Sequence, residues 1–119
     1  MVKQPNIINY LEAGLRAVSL RRAVLANNLA NTETPGYRRH DVQFEEQLAQ
    51  AIKSGGSAEL DQLKPRIIQP MNTAVGPNGN DVNLHTEIGE LMKNDGTYKT
   101  YLRLLAKTYR QMEIAMGTK

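Results

Sequence analysis

The longest periodic pattern in the chain is C-terminal. Leu84, Ile88, Leu91, Asp95, Tyr98, Leu102, Leu105, Tyr109, Met112 and Met116 follow one another in alternating steps of four and three, and nine of these ten residues are apolar. An apolar position every 3.5 residues, sustained over several heptads, marks a coiled-coil helix. The pattern predicts a helix over 84–117. Gly89 and Gly96 lower its propensity and Asp95 interrupts the stripe, so a bend or a polar contact is expected near Asp95-Gly96.

A second seam lies near the start. Ile8, Leu11, Leu15, Val18, Leu25 and Leu29 keep the same alternation, with Arg22 at the one missing position, and predict a helix over 7–31. Gly14 weakens that helix by about 1 kcal/mol relative to alanine, whereas Ala13, Ala17, Ala23 and Ala26 favour it and permit close approach. The two seams are natural partners, parallel or antiparallel according to the path between them. Arg16, Arg21 and Arg22 read as a solvated flank, with Arg22 able to reach an acidic partner along the seam.

The first helix must stop at Asn27-Asn28-Leu29-Ala30-Asn31, because asparagine side chains compete for backbone groups and Pro35 drives Thr34 out of the α region. Pro35-Gly36 then fits the centre of a type II turn, proline presetting φ and glycine accepting φ > 0. This turn occupies 32–40. Asp41 is placed to cap a short helix over 41–53, with Phe44, Leu48, Ala51 and Ile52 on one face and Gly55-Gly56-Ser57 ending it. Residues 54–83 are expected to be a flexible excursion. Between Lys53 and Asn83 lie four of the nine glycines and three of the five prolines, which break any long helix or central strand. Arg66-Ile67-Ile68-Gln69 reads as one short edge strand and Pro77-Asn78-Gly79-Asn80 as a turn. Residues 1–6 are expected to be mobile or to order only on assembly. The fold class is mainly α: a single elongated domain with two long terminal helices in a coiled-coil-like pair, a short helix, and an irregular middle with a little β structure.

Composition sharpens this picture. At 40% apolar residues, with no Trp and Phe44 the only phenylalanine, a large globular core is poorly supplied, so apolar stripes are expected to be completed by neighbouring copies or partners. The net charge of +3 is dispersed, which suits a solvated surface; a nucleic-acid interface would cluster its cations. The alternative class is a small basic helical protein that sets Arg21, Arg22, Arg38 and Arg39 on phosphates. No basic block precedes the Leu84–Met116 seam as such a protein requires.

Chemistry is not encoded. There is no cysteine, His40 and His85 are isolated, and Glu45-Glu46 and Glu87/Glu90 read as helix-surface carboxylates rather than an acid and base in a cleft. Asp61, Asn78, Asn80, Asp81 and Asn83 do not follow the spacing of a calcium loop. Catalytic residues, metal ligands and cofactor sites are all expected to be absent. No run of 18 apolar residues occurs and no Sec-type signal is recognisable at the start, so neither a spanning helix nor Sec export is expected.

The string Ala26-Asn27-Asn28-Leu29-Ala30-Asn31, then Thr34-Pro35-Gly36-Tyr37-Arg38-Arg39 and Phe44, resembles the N-terminal signature of the bacterial flagellar rod and hook family. Gly79-Asn80-Asp81-Val82-Asn83-Leu84 with Glu87 resembles the C-terminal helix entry of its proximal-rod members. Asp81, Asn83 and His85 depart from that entry, standing for Asn, Asp and Asp, which leaves the helix cap open. The resemblance covers both terminal thirds, and the chain is too short for the inserted domains of distal rod and hook members.

It implies a structural subunit of the proximal rod of the flagellar basal body that transmits torque and walls the export channel. Its partners would be other rod subunits, the adaptor joining rod to MS ring, and the flagellar type III export apparatus, in homo- and hetero-oligomers, with neither nucleic acid nor direct membrane insertion. Leu11, Leu15, Val18, Leu25 and Leu29 on the first helix, and Ile88, Leu91, Tyr98, Leu102, Leu105, Tyr109 and Met112 on the last, would form the assembly seam. Asn27, Asn28, Asn31, Thr34, Pro35, Gly36 and Tyr37 would fix the geometry of the turn.

Overall fold

The computed structural model describes residues 7–54, 60 and 62–117. The expectations for residues 1–6, for Gly55-Gly56-Ser57 and for Asp61 lie outside them. The elements in chain order are α1 (Ile7–Ala30), β1 (Asp41–Gln43), α2 (Glu45–Ser54), β2 (Arg66–Ile68) and α3 (Leu84–Gly117).

The two long helices pack antiparallel. Glu87 of α3 lies beside Asn28 of α1, Asp95 beside Arg22, Tyr101 beside Gly14 and Tyr109 beside Glu12, so positions rise on one helix as they fall on the other. A 34-residue helix extends about 51 Å. The molecule is accordingly drawn out, 66 × 29 × 15 Å with a radius of gyration of 18.0 Å, against about 13.5 Å for a compact chain of this length.

Gly14 has a packing role that its low helix propensity hides. A Cβ built there would fall 2.5 Å from a ring carbon of Tyr101, so only glycine lets that aromatic ring lie on α1. The two interruptions of the apolar stripes also meet: Arg22 Nε donates to Asp95 Oδ1 at 2.8 Å. Each seam lacks an apolar residue where the other lacks one.

On its other flank α1 is narrow. Ala13 and Ala17 are fully buried and admit α2 and β1 at short range. One core cluster joins Ala17, Val18, Val24, Val42 and Phe44, and a second joins Ala13, Ala51, Leu60 and Leu63. Leu48 packs against both.

Here the structure departs from the expected helix over 41–53. Val42 and Phe44 are buried while Gln43 is exposed, an alternation of period two that makes Asp41–Gln43 a strand. Asp41 therefore caps nothing; its Oδ1 accepts from the N–H of Val42 at 2.7 Å. The α2 ladder opens instead at the Phe44 carbonyl, which accepts from Leu48 N–H at 2.9 Å. Strand β2 pairs antiparallel with β1, Val42 opposite Ile67. Pro65 and Pro70 flank it, as an edge position allows.

Arg21 is also not the solvated residue its charge suggests. It donates to both carboxylate oxygens of Glu45, at 2.6 and 3.0 Å, and to the Val42 carbonyl. Its guanidinium carbon sits 4.8 Å from the centre of the Phe44 ring. The side chain staples α2 and β1 to α1, and its hydrogen bond holds the Glu45 carboxyl below the usual range.

Candidate functional site

The asparagine-rich end of α1 and the entry to α3 form one polar junction. α1 closes with Asn31 N–H bonded to the carbonyls of Asn27 and Asn28, and Asn31 Nδ2 donates to the same Asn27 carbonyl at 2.8 Å. Thr32 Oγ1 covers the Leu29 carbonyl at 2.6 Å. These side chains satisfy carbonyls that a helix end leaves open.

The turn follows as its residues dictate. Tyr37 N–H bonds to the Thr34 carbonyl at 3.3 Å, and Gly36 has φ 75°. With Pro35 before it, this is a type II turn. Pro77-Asn78-Gly79 makes a second turn, closed by Gly76 N–H to the Asn80 carbonyl at 2.8 Å, with Gly79 at φ 82°. The two turns interlock: Gly36 N–H donates to the Asn78 carbonyl at 2.8 Å, and a Cβ on Gly79 would meet Gly36 Cα at 3.3 Å. Asn80 Nδ2 bridges the carbonyls of Asn31 and Thr34, each at 2.8 Å.

Beneath the turns lies Asn28, fully buried. Its Oδ1 accepts from the His40 N–H at 2.9 Å and the Tyr37 hydroxyl at 3.0 Å. Its Nδ2 donates to the His40 carbonyl at 2.7 Å and to Glu87 Oε2 at 3.2 Å. All four capacities of the amide are used. Asn27 donates to the Tyr37 hydroxyl from the exposed side, and burial raises the Tyr37 pKa.

Two carboxylates complete the junction. Glu87, 1% exposed, accepts from Arg39 Nε. Burial opposes the Arg39 charge, but the Glu87 hydrogen bond and charge more than offset it and its pKa is raised. Asp81 accepts from Arg39 N–H at 2.6 Å and Arg38 Nε at 3.1 Å. Asn83, at the position the sequence left open, caps α3: its Oδ1 accepts from Thr86 N–H at 3.0 Å.

Sequence reasoning placed Glu87 on the surface and read Asp81 as a turn residue. The structure buries both, because each meets an arginine of the Arg38-Arg39 pair. The shared signal was charge balance between the turn after α1 and the entry to α3, distant in sequence.

The α3 positions that face α1 are Glu87, Leu91, Asn94, Tyr98, Tyr101, Leu105 and Thr108, all buried or half-buried. They alternate four and three, as the apolar stripe does, but share with it only Leu91, Tyr98 and Leu105. Three anchors set this rotation of the helix: Glu87 on Arg39, Asn94 Nδ2 on the Val18 carbonyl at 3.0 Å, and Tyr101 on Gly14.

Asp95 is half-buried on Arg22, and the apolar stripe residues left over form an exposed shoulder, with Ile88 at 40%, Leu102 at 41%, Tyr109 at 47% and Met112 at 40%. On α1, Leu11, Val18 and Leu25 are buried and Leu15 and Leu29 half-buried.

The four arginines that a phosphate-binding reading needs are each paired with a carboxylate: Arg21 with Glu45, Arg22 with Asp95, Arg38 with Asp81 and Arg39 with Glu87. Among the described residues no three His, Cys, Asp or Glu side chains could hold a metal, and no helix is long and apolar enough to cross a membrane.

Residues 8–38 match the family described as flagella basal body rod protein. The FlgB rod protein of Aquifex aeolicus is 32% identical over 87 residues, 70% of each chain. That of Borrelia hermsii is 28% identical over 120 residues, 86% of this chain and 89% of its own. The FlgG rod protein of Buchnera aphidicola is also 32% identical over 87 residues, but these make up 32% of its length. With the rod-protein match lying on the helix end and turn just described, and the FlgB likeness running through both long helices, the chain belongs to the FlgB-type flagellar basal body rod proteins.

Proposed function

We propose that the chain is a structural, non-catalytic subunit of the proximal rod that adds to the growing rod through α1 and α3. The observation that carries this is the shoulder of α3. An apolar stripe of several heptads is turned so that α1 covers only part of it, and the remainder stays in solvent as large apolar side chains. A monomer gains nothing from such a face, whereas a tube of helices would bury it against a neighbouring pair.

The polar junction serves the same end. It holds the two helices at a fixed spacing and register without using that face, so a subunit reaches the rod tip already shaped. Repeated side by side, such pairs would carry torque along the helix axes and enclose the export channel. Other rod subunits, the adaptor at the MS ring and the type III export apparatus are the partners, and the rod in the periplasm is the location.

The test is complementation of a strain deleted for this gene, scored by swimming and by electron microscopy of isolated basal bodies. The wild-type chain should restore rods. Leu102→Asp with Met112→Asp, both on the exposed shoulder, should abolish them while the purified chain keeps its helix content. Rods that persist in the deletion strain, or wild-type swimming of the double variant, would refute the reading.

A further inference from the structure

From Tyr109 onward every described residue of α3 is exposed, Met116 to 78%. Short helical segments depend on tertiary packing for their stability, yet this tip carries Met112 and Met116 in solvent. Lys107 and Arg110 precede them on the helix, and Glu113 is the one carboxylate between them. The tip is both apolar and cationic.

One flank of the same molecule has the complementary character. Between α2 and α3 a cavity of about 570 Å³ opens, with Phe44, Leu48, Ile52 and Tyr101 in its lining. Ile52 is 55% exposed. The charged lining is Asp41, Glu45 and Glu90 against Arg21 and Lys93, one carboxylate in excess. A groove elsewhere between α1 and α3 has Arg22 and Lys99 against Asp95, a balance that repels a cationic tip. Charge thus selects between the two grooves.

We propose that the α3 tip of one copy docks in the α2–α3 groove of a second copy, its methionines on the Leu48–Ile52 side and Lys107 and Arg110 at the carboxylates. This rests on the rod-subunit reading and adds a direction to it. Tip and groove are different surfaces, so each added copy presents a fresh tip or a fresh groove, and the contact propagates as an open filament instead of closing a dimer. The charges steer and orient the approach; burial of the methionines holds it.

The absence of cysteine makes disulfide trapping a clean test. Ile52→Cys and Met116→Cys are placed in one chain and the purified protein is oxidised. Met116 lies about 22 Å along the helix from Tyr101 in the groove lining, so a bond between the two cysteines joins separate copies. The expected result is a ladder of linked multimers. Ser19→Cys with Met116→Cys, which probes the other groove, should give a ladder weaker by about tenfold. Lys107→Glu with Arg110→Glu should weaken the first ladder to a similar degree, and adding Glu90→Lys should restore it.

Equal ladders from both cysteine pairs, or a ladder indifferent to charge reversal, would overturn the proposal. Rods restored in the deletion strain by an Ile52→Cys/Met116→Cys chain that yields no cross-link would overturn this contact and leave the rod-subunit reading standing. Cross-linking in a strain whose rods do not depend on the gene would overturn the rod reading instead.

Discussion

Where α1 stops and α3 starts, Asn28, Asp81 and Glu87 are buried polar groups with every neighbour in place, while at the opposite end Met112 and Met116 are apolar groups exposed to water. Ordinary globular packing does the reverse at both ends. The junction spends its polar groups on internal satisfaction, so it is finished within one copy. The tip keeps its apolar surface in water, where the proposed assembly would cover it. On the rod-subunit proposal, stability and assembly are separated along one helix pair, and substitutions at the two ends should fail differently.

The largest effect is expected at the junction. Arg39→Met leaves the Glu87 carboxylate buried without its counter-charge, which costs about 3–5 kcal/mol. The urea midpoint of the purified monomer should fall accordingly. Adding Glu87→Leu should recover much of the loss, since an apolar pair replaces an orphaned charge. The recovery stays incomplete because Asn28 Nδ2 loses one of its two acceptors. Full stability in Arg39→Met alone would show that the junction is solvated.

Next comes Gly14→Ala, midway between the ends. Alanine raises helix propensity by about 1 kcal/mol, so a surface glycine would give a more stable protein. Here the new methyl group meets the Tyr101 ring at 2.5 Å, so the ring or α3 must shift, at a cost of about 1–3 kcal/mol. The predicted sign is net destabilisation. An increase in the thermal midpoint would mean that Tyr101 swings away and that the register is held by the junction alone.

Gly36→Val should cost about 1–2 kcal/mol, the penalty of a left-handed backbone for a side chain. Space is not the obstacle, since nothing lies within 4 Å of the added Cβ. Gly36→Asn, which tolerates that conformation, should recover most of the loss in the same urea titration. Equal losses from both would trace the effect to the Asn78 contact instead of to φ.

Much of this contrast was readable from the chain. Two seams, their breaks at Arg22 and Asp95, the end of α1 and the proline-glycine turn all follow from local pattern, because helix periodicity and turn chemistry act within a few residues. The phase of α3 did not follow. It is set by Glu87, Asn94 and Tyr101, two of them polar residues that a hydrophobic count discards, and their partners lie on α1 or beside its end. Arg21 was misread for the same reason: Glu45 is 24 residues away. The strand at Asp41–Gln43 was too short to show a period before a partner strand fixed it.

A smaller effect tests whether Arg21 staples the flank. Its hydrogen bond lowers the Glu45 pKa in the folded protein from the ordinary 4.5. A depressed carboxyl contributes stability above the unfolded pKa and loses it as pH falls through the folded one. The wild-type chain should therefore lose its margin over Glu45→Gln as the pH drops below about 4.5. Glu45 is largely exposed, so that margin is under about 1 kcal/mol and shrinks in salt. A margin independent of pH would assign the staple to packing of Arg21 on Phe44.

The smallest effect on the monomer belongs to the tip. Met112→Ser with Met116→Ser removes largely exposed apolar atoms, so the unfolding free energy from urea titration should stay within about 0.5 kcal/mol of the wild-type value. The same two changes should abolish rod formation in the deletion strain, because the surface they remove is the one left for a neighbour. Arg39→Met sharpens the point from the other side: its unfolded fraction rises, yet the molecules that do fold keep an intact tip. Overexpression should then rescue rods for Arg39→Met, by raising the number of folded copies, and should fail for the methionine pair. If overexpression rescues both, the two ends differ in degree of stability alone, and the division of labour between junction and tip is lost.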